Sequence, residues 1–428
     1  MTVLEADLTW TGERFEPGVR IAIAPDGRIS AVGALSESPR ERLNGQALLP
    51  GFVNAHSHAF QRGLRGRGER FPSGAGSFWS WREAMYALVE ELDAERLQAL
   101  SARAFREMLA AGITTVGEFH YLHHGKDGAD WALDEAVLAA AREAGVRLVL
   151  LEVYYRTGGI GKPLERAQQR FDGRSLEEYW RQVDSLAQRL DPSHASVGVA
   201  PHSIRAVELE ELAELHARAR KRRMVVHMHV EETQREIQEC RAAHGRTPME
   251  LLAARLDLDA GFTAVHATHT APEQLGFFLN SGANLCLCPL TEANLGDGTP
   301  VLGRVPRDGL ALGTDSNARI SMLEEMRWAE YGQRLAREER GVLVDEHGEV
   351  ARRLLAAATL GGARALGVRA GAIEVGAWAD FVAVDLAAPE LAGWTGETLL
   401  EGLVFGASER ALAGTWVGGR RVHAREER

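Results

Sequence analysis

The chain has 428 residues, 45% of them hydrophobic and 25% charged, with a formal net charge of −11 and a pI near 5.8. That supply of apolar side chains is ample for a large core, and the acidic balance argues against a general nucleic-acid binder, which needs a basic face to neutralise phosphates. The three cysteines, Cys240, Cys286 and Cys288, give no disulfide framework and suit a reducing compartment.

In chain order, the N-terminal MTVLEADLTW carries acids early and has no basic stretch leading into an apolar run, so no signal peptide is expected. No apolar run is long enough to span a membrane, and the expected location is the cytoplasm. Residues 1–48 alternate short apolar runs with turns such as Pro25-Asp26-Gly27 and predict strands. From there, short apolar runs alternate with helical patterns, the mark of βα units and a parallel sheet. Eight runs predict strands: Leu48–Ala55, Ile113–Phe119, Val146–Val153, Ser196–Ala200, Met224–Met228, Thr263–Val265, Asn284–Cys288 and Gly309–Gly313. Asp134–Ala144 and Leu209–Arg222 are the clearest helices between them. From about Val368 the β texture of the N-terminus returns, in Ala379–Asp385 and Gly414–Val422. The expected fold is α/β: a (β/α)8 TIM barrel over 49–368, with a small β-sandwich domain built from both termini, 1–48 plus 369–428. Gly63–Gly76 reads as a long loop over the first strand, packed by Trp79 and Trp81, and Arg82 is expected in that same long loop.

The residues that carry chemistry cluster at predicted strand ends. In Asn54-Ala-His56-Ser-His58 the two imidazoles are two apart in an extended segment, so both point one way and can share a metal. His229 ends the fifth strand and Glu232 follows three residues later, setting a nitrogen ligand beside a carboxylate able to take a proton from water. His227 shares the face of His229 but lies deeper, as a core histidine would, and alternation points Glu231 elsewhere. His266 closes the sixth strand and is placed to polarise a substrate or move a proton, with His269 behind it in the loop. Asp315 closes the eighth as a metal ligand, a proton carrier or a helix cap. Cys286 and Cys288 face one side of a strand and read as packed thiols. His56, His58, His229 and Asp315 form an N3O set suited to one divalent ion, zinc being favoured. Barrel active sites occupy the C-terminal ends of the strands, where all of these fall.

The order His-x-His, then His229, His266 and Asp315, resembles the amidohydrolase superfamily across the whole chain. No lysine follows the fourth strand, Val197-Gly-Val-Ala-Pro-His202, to bridge two metals, and His229-x-x-Glu232 looks like the one-metal deaminase branch. More narrowly, Asn54–Arg62, Ser77-Phe-Trp-Ser-Trp-Arg82, Glu118-Phe-His-Tyr-Leu-His-His124 and Thr291-Glu-Ala-Asn-Leu-Gly-Asp-Gly298 are similar to the formimidoylglutamate deiminase family. That resemblance implies hydrolysis of N-formimino-L-glutamate to N-formyl-L-glutamate and ammonia in histidine degradation. It also implies a homodimer, with Gln61, Arg82, Tyr121, His202 and Arg205 around the substrate. The catalytic residues are then Glu232, His266 and Asp315: Glu232 moves the first proton, His266 steadies the attacking oxygen and Asp315 accepts the second proton. Guanidinium forks suit a small-molecule dicarboxylate, although an arginine at either position, taken alone, is more often a surface ion pair. The rival expectations are a deaminase of the same branch acting on a guanine-like amine, and a non-catalytic barrel scaffold.

Overall fold

The computed structural model describes residues 2–67, 69, 78–126, 128, 130–302, 305 and 309–425, with main chain only at 78 and 79. Among them, eight parallel strands follow one another round a barrel: β1 (Phe52–Ser57), β2 (Ile113–His120), β3 (Arg147–Tyr154), β4 (Ala195–Pro201), β5 (Val226–Val230), β6 (Phe262–His266), β7 (Asn284–Leu287) and β8 (Leu310–Leu312). Each pairs with its neighbour in sequence. The ring closes by a parallel bridge between Ser57 and Asp315. There Asp315 N–H donates to the His56 carbonyl at 3.0 Å and His58 N–H donates to the Asp315 carbonyl at 2.9 Å. Gly313 permits the approach, since a Cβ on it would lie 2.8 Å from the His56 carbonyl oxygen.

The strands are legible because both faces of a parallel barrel strand are buried, which makes its sequence a continuous apolar run. The same reasoning misplaces one boundary. Leu48, Leu49 and Pro50 belong to strand Glu41–Pro50 of the terminal sheet, and β1 begins at Phe52. Both segments are buried on two sides, so their apolar runs merge across Gly51. Helix Leu209–Arg222 falls where expected, and Asp134–Ala144 extends to Ala132–Ala144.

The two ends fold together into a sandwich-like eight-stranded sheet. Its central strand Glu41–Pro50 pairs in parallel with Thr2–Trp10 on one side and antiparallel with Phe381–Asp385 on the other. Alternation divides the side chains. Leu43, Leu48, Phe381 and Ala383 enter a core of the sheet's own, while Ala47, Leu49, Val382 and Val384 join the barrel core. A buried bidentate pair, Arg147 to Asp380 at 2.9 and 3.0 Å, ties β3 to the terminal sheet.

Of the loop expected over 63–76, residues 68 and 70–76 lie outside the described residues, as does the Trp79 side chain. The segment before it, Ala59–Leu64, is a 3-10 helix with Phe60 and Leu64 buried. Arg82 sits on helix Phe78–Glu91 and not in a loop. The three cysteines are free and buried, Cys286 and Cys288 together in a small core with Ala55, Val265 and Ala311. Among the described residues, no helix is long and apolar enough to cross a membrane.

Candidate active site and metal centre

The C-terminal ends of β1 and β5 and the turn after β8 bring His56, His58, His229 and Asp315 together, with ligand atoms all within 4.8 Å of one another. His56 Nε2 lies 3.1 Å from His229 Nε2 and 3.5 Å from Asp315 Oδ1, and His58 Nε2 is 3.2 Å from Asp315 Oδ1. Tautomers follow from the outer hydrogen bonds. A carbonyl oxygen only accepts, so His58 Nδ1–H donates to Phe119 O at 2.9 Å and His229 Nδ1–H donates to His202 O at 3.2 Å. Each ring therefore turns a bare Nε2 inward. Burial holds all three imidazoles below the ordinary histidine range, His58 at about 3, so they are neutral donors. The His58 and His229 lone pairs, with His56 Nε2 and a carboxylate beside them, repel one another unless a proton or a cation lies between them, and the donor set fits a zinc-like ion.

Glu232 lies beside this cluster. Burial raises its pKa above the ordinary carboxylate value. Arg205 Nη2 and His266 Nε2 each approach it at 3.8 Å. His266 ends β6, with Nε2 also 3.8 Å from Asp315 Oδ2 and without a hydrogen-bond partner among the described residues. Burial opposes charge on this ring, but Glu232, Glu292 and Asp315 outweigh it and push the pKa up to about 10. His266 (φ 72°) and Asp315 (φ 43°) both occupy the left-handed region that non-glycine residues seldom adopt, local strain held by the barrel at the reacting face.

A cleft opens over the cluster. Gln61, Arg82, Tyr121, His202 and Arg205 line it together with His58, His229, Glu232 and Asp315. Gln61 Nε2 donates to the Tyr121 hydroxyl at 2.7 Å. His202 is held neutral, first by burial and then by the neighbouring Arg205. Of the remaining histidines and acids, His227 is a core residue with Nε2–H to the Ala365 carbonyl at 2.8 Å, and Glu231 turns away to accept from Met249 N–H. His269 lies in the loop, 3.1 Å from Gln234.

Sequence reasoning gave no role to Glu292, whose carboxylate lies 3.3 Å from His266 Nδ1 and accepts from Cys288 N–H at 3.0 Å. It also missed Asn317, whose amide donates to Ser57 Oγ, the His58 carbonyl and the Asp315 carbonyl, locking the turn after β8 to β1. The only signal for either was its place inside or just after a motif already noted.

Residues 47–422 match the Amidohydrolase family. The chain belongs to the amidohydrolase family. It is 38% identical to a formimidoylglutamate deiminase of Pseudomonas aeruginosa, over 100% of this chain and 97% of the relative. It is 31% identical to a 5-methylthioadenosine/S-adenosylhomocysteine deaminase of Desulfovibrio desulfuricans, over 80% of this chain and 72% of that one. Among solved structures, an amidohydrolase from Brucella melitensis superposes with a TM-score of 0.87 at 35% identity, covering 98% of this chain and 94% of that one. An adenosine deaminase from Xanthomonas campestris with bound zinc gives 0.80 at 26% identity, covering 98% and 92%. Amidohydrolase membership and the barrel with its terminal sheet thus agree with the sequence reading.

Proposed function

We propose that this amidohydrolase is a metal-dependent deiminase that hydrolyses a C–N bond of N-formimino-L-glutamate, giving N-formyl-L-glutamate and ammonia in histidine degradation. The observation that carries the substrate class is the pair of guanidiniums, Arg82 and Arg205, in the cleft that also holds His58, His229, Glu232 and Asp315. Two forks match two carboxylates on one small substrate. The formimidoylglutamate deiminase relative, matched over almost its entire length, supports the same reading.

His56, His58, His229 and Asp315 would hold one divalent ion, zinc by its donor set, which would acidify water toward a pKa of about 7 and polarise the substrate. The protein's own groups do the rest. Arg82 and Arg205 fix the carboxylates, with Gln61, Tyr121 and His202 bonding the polar atoms between. Glu232 takes a proton from the attacking water and hands it to the imino nitrogen. His266, kept charged by its carboxylate neighbours, steadies the attacking oxygen. Asp315 accepts the second proton from the new hydroxyl and passes it to the departing nitrogen as the C–N bond breaks. Water oxygen joins the formimino carbon, and the former imino nitrogen leaves as ammonia. The two-part division expected at 49–368 and 1–48 plus 369–428, with its first boundary moved to Gly51 by strand Glu41–Pro50, a cytoplasmic location and a homodimer are part of the same proposal.

A coupled ammonia assay with N-formimino-L-glutamate, before and after chelation, tests this. Release that stops on chelation and returns with zinc is expected. Release from guanine or a nucleoside instead, with none from formimino-glutamate, would overturn the substrate.

A further inference from the structure

A second histidine–carboxylate cluster lies away from the cleft. His120 ends β2, His123 follows in the loop, Asp134 stands in the first turn of helix Ala132–Ala144, and Glu152 is in β3. Asp134 Oδ1 is 3.1 Å from His120 Nε2 and 3.0 Å from His123 Nδ1, and His123 Nδ1 is 3.4 Å from Glu152 Oε1. The closest contacts of the cleft cluster, 3.1–3.5 Å, fall in nearly the same range. His123, Asp134 and Glu152 are 0% exposed and His120 is 1%.

The proton count makes the cluster unusual. His123 Nε2 lies 2.9 Å from the Val153 carbonyl, which only accepts, so Nε2 carries the hydrogen. In the neutral ring Nδ1 is then a bare lone pair, and it faces two carboxylate oxygens. Gln182 Nε2 donates to the far oxygen of Asp134 at 2.7 Å. Both oxygens of Glu152 are buried without a hydrogen-bond partner among the described residues. With both carboxylates ionised, only His120 Nε2 can place a hydrogen among these groups, on Asp134 Oδ1, so His123 Nδ1 and both Glu152 oxygens remain acceptors around one enclosed point, and buried acceptors left this way are costly.

We propose that His120, His123 and Asp134 ligate a second, structural divalent ion of the zinc class, with Glu152 as the balancing carboxylate. Two neutral imidazoles, two carboxylates and one divalent cation sum to zero charge, which an enclosed site requires. The burial of all four side chains fits a structural ion, because catalytic sites keep an open position. The ion braces the end of β2. The residue before His120, Phe119, carries the carbonyl that sets the His58 tautomer, and the residue after it, Tyr121, holds Gln61.

Metal counting on the purified full-length protein, after exhaustive exchange into chelator-treated buffer, tests the proposal. Wild type should carry two equivalents per chain. The His56→Ala/His58→Ala variant, which empties the cleft cluster, should keep one, with an X-ray absorption spectrum of nitrogen and oxygen ligands and no sulfur. His123→Ala should lose that equivalent and keep the other. A metal-free His56→Ala/His58→Ala protein overturns the proposal and leaves protons shared among the four side chains as the account of the cluster. A second ion that persists in His123→Ala overturns it equally. Should His123→Ala fail to fold, the double-variant count still decides. One equivalent in wild type that persists in the double variant would keep the enclosed ion and count against the cleft ion, so the two readings fail separately.

Discussion

The barrel holds two knots of histidine and carboxylate with nearly the same close spacings and opposite surroundings. The cleft knot, His56, His58, His229 and Asp315, opens onto a pocket lined by Arg82, Arg205 and Glu232. The four side chains of the enclosed knot, His120, His123, Asp134 and Glu152, are buried. Donor atoms alone therefore do not make a catalyst. What separates the two is a free approach, a carboxylate placed at the rim of that approach, and a charged ring facing it. Glu232 supplies that carboxylate, raised by burial against the pull of His266 and Arg205, and His266 supplies the charge, held by neighbouring acids against burial.

The largest test of this contrast removes the proposed base at the rim and leaves the knot intact. Glu232→Gln should lower kcat by about 10²–10⁴-fold, the usual worth of general acid–base help, with the metal content unchanged. Near-normal ammonia release would move the base elsewhere. Next comes the rim's charge. Arg82→Ala and Arg205→Ala each remove charged hydrogen bonds worth about 1.5–3 kcal/mol, so KM should rise roughly 10–100-fold per variant with a smaller change in kcat. A fall in kcat alone, with KM unmoved, would place the substrate carboxylates outside these forks.

Legibility followed the same divide. The cleft knot could be read from the sequence because each member sits at the end of an apolar run, and barrel strands all end on one face. His56-x-His58 also carries its own period. In the enclosed knot only His120-x-x-His123 is local; Asp134 and Glu152 arrive from a helix and the next strand, and no spacing announces that. Glu292 was hidden for the same reason, reaching His266 from the segment after β7. The Leu48–Pro50 boundary failed because two-sided burial on either side of Gly51 erases the polar break that would mark it. Arg82 was expected in a loop because Phe78-Trp-Ser-Trp places its aromatics where they mask helical periodicity.

Charge burial under the cleft offers a smaller test, read in stability. Glu236, on helix Gln234–His244, is fully buried, and burial pushes its pKa from 4.5 up to about 7, with Arg205 opposing and Glu232 reinforcing the shift. A carboxyl whose folded pKa is raised binds its proton more tightly when folded. Its contribution is intact below about pH 4.5 and is lost as pH rises toward 7. Glu236→Gln escapes that loss. Its stability relative to wild type in urea should therefore be about 1–3 kcal/mol better at pH 8 than at pH 4.5. A difference independent of pH would mean that Glu236 is ionised at no cost.

The smallest effect lies where the two knots meet. Tyr121 follows His120 in sequence, and its hydroxyl accepts from Gln61 at 2.7 Å in the cleft. Tyr121→Phe removes that acceptor and leaves the Gln61 amide to seek another, at a cost of about 0.5–1.5 kcal/mol, so kcat/KM should fall only a few-fold. The same variant leaves every donor of both knots in place, so its metal content should equal that of wild type. Loss of metal on this one change would show that the hydroxyl holds the end of β2 in position. The bracing would then run from the cleft to the enclosed knot, and not from the enclosed ion outward to the cleft.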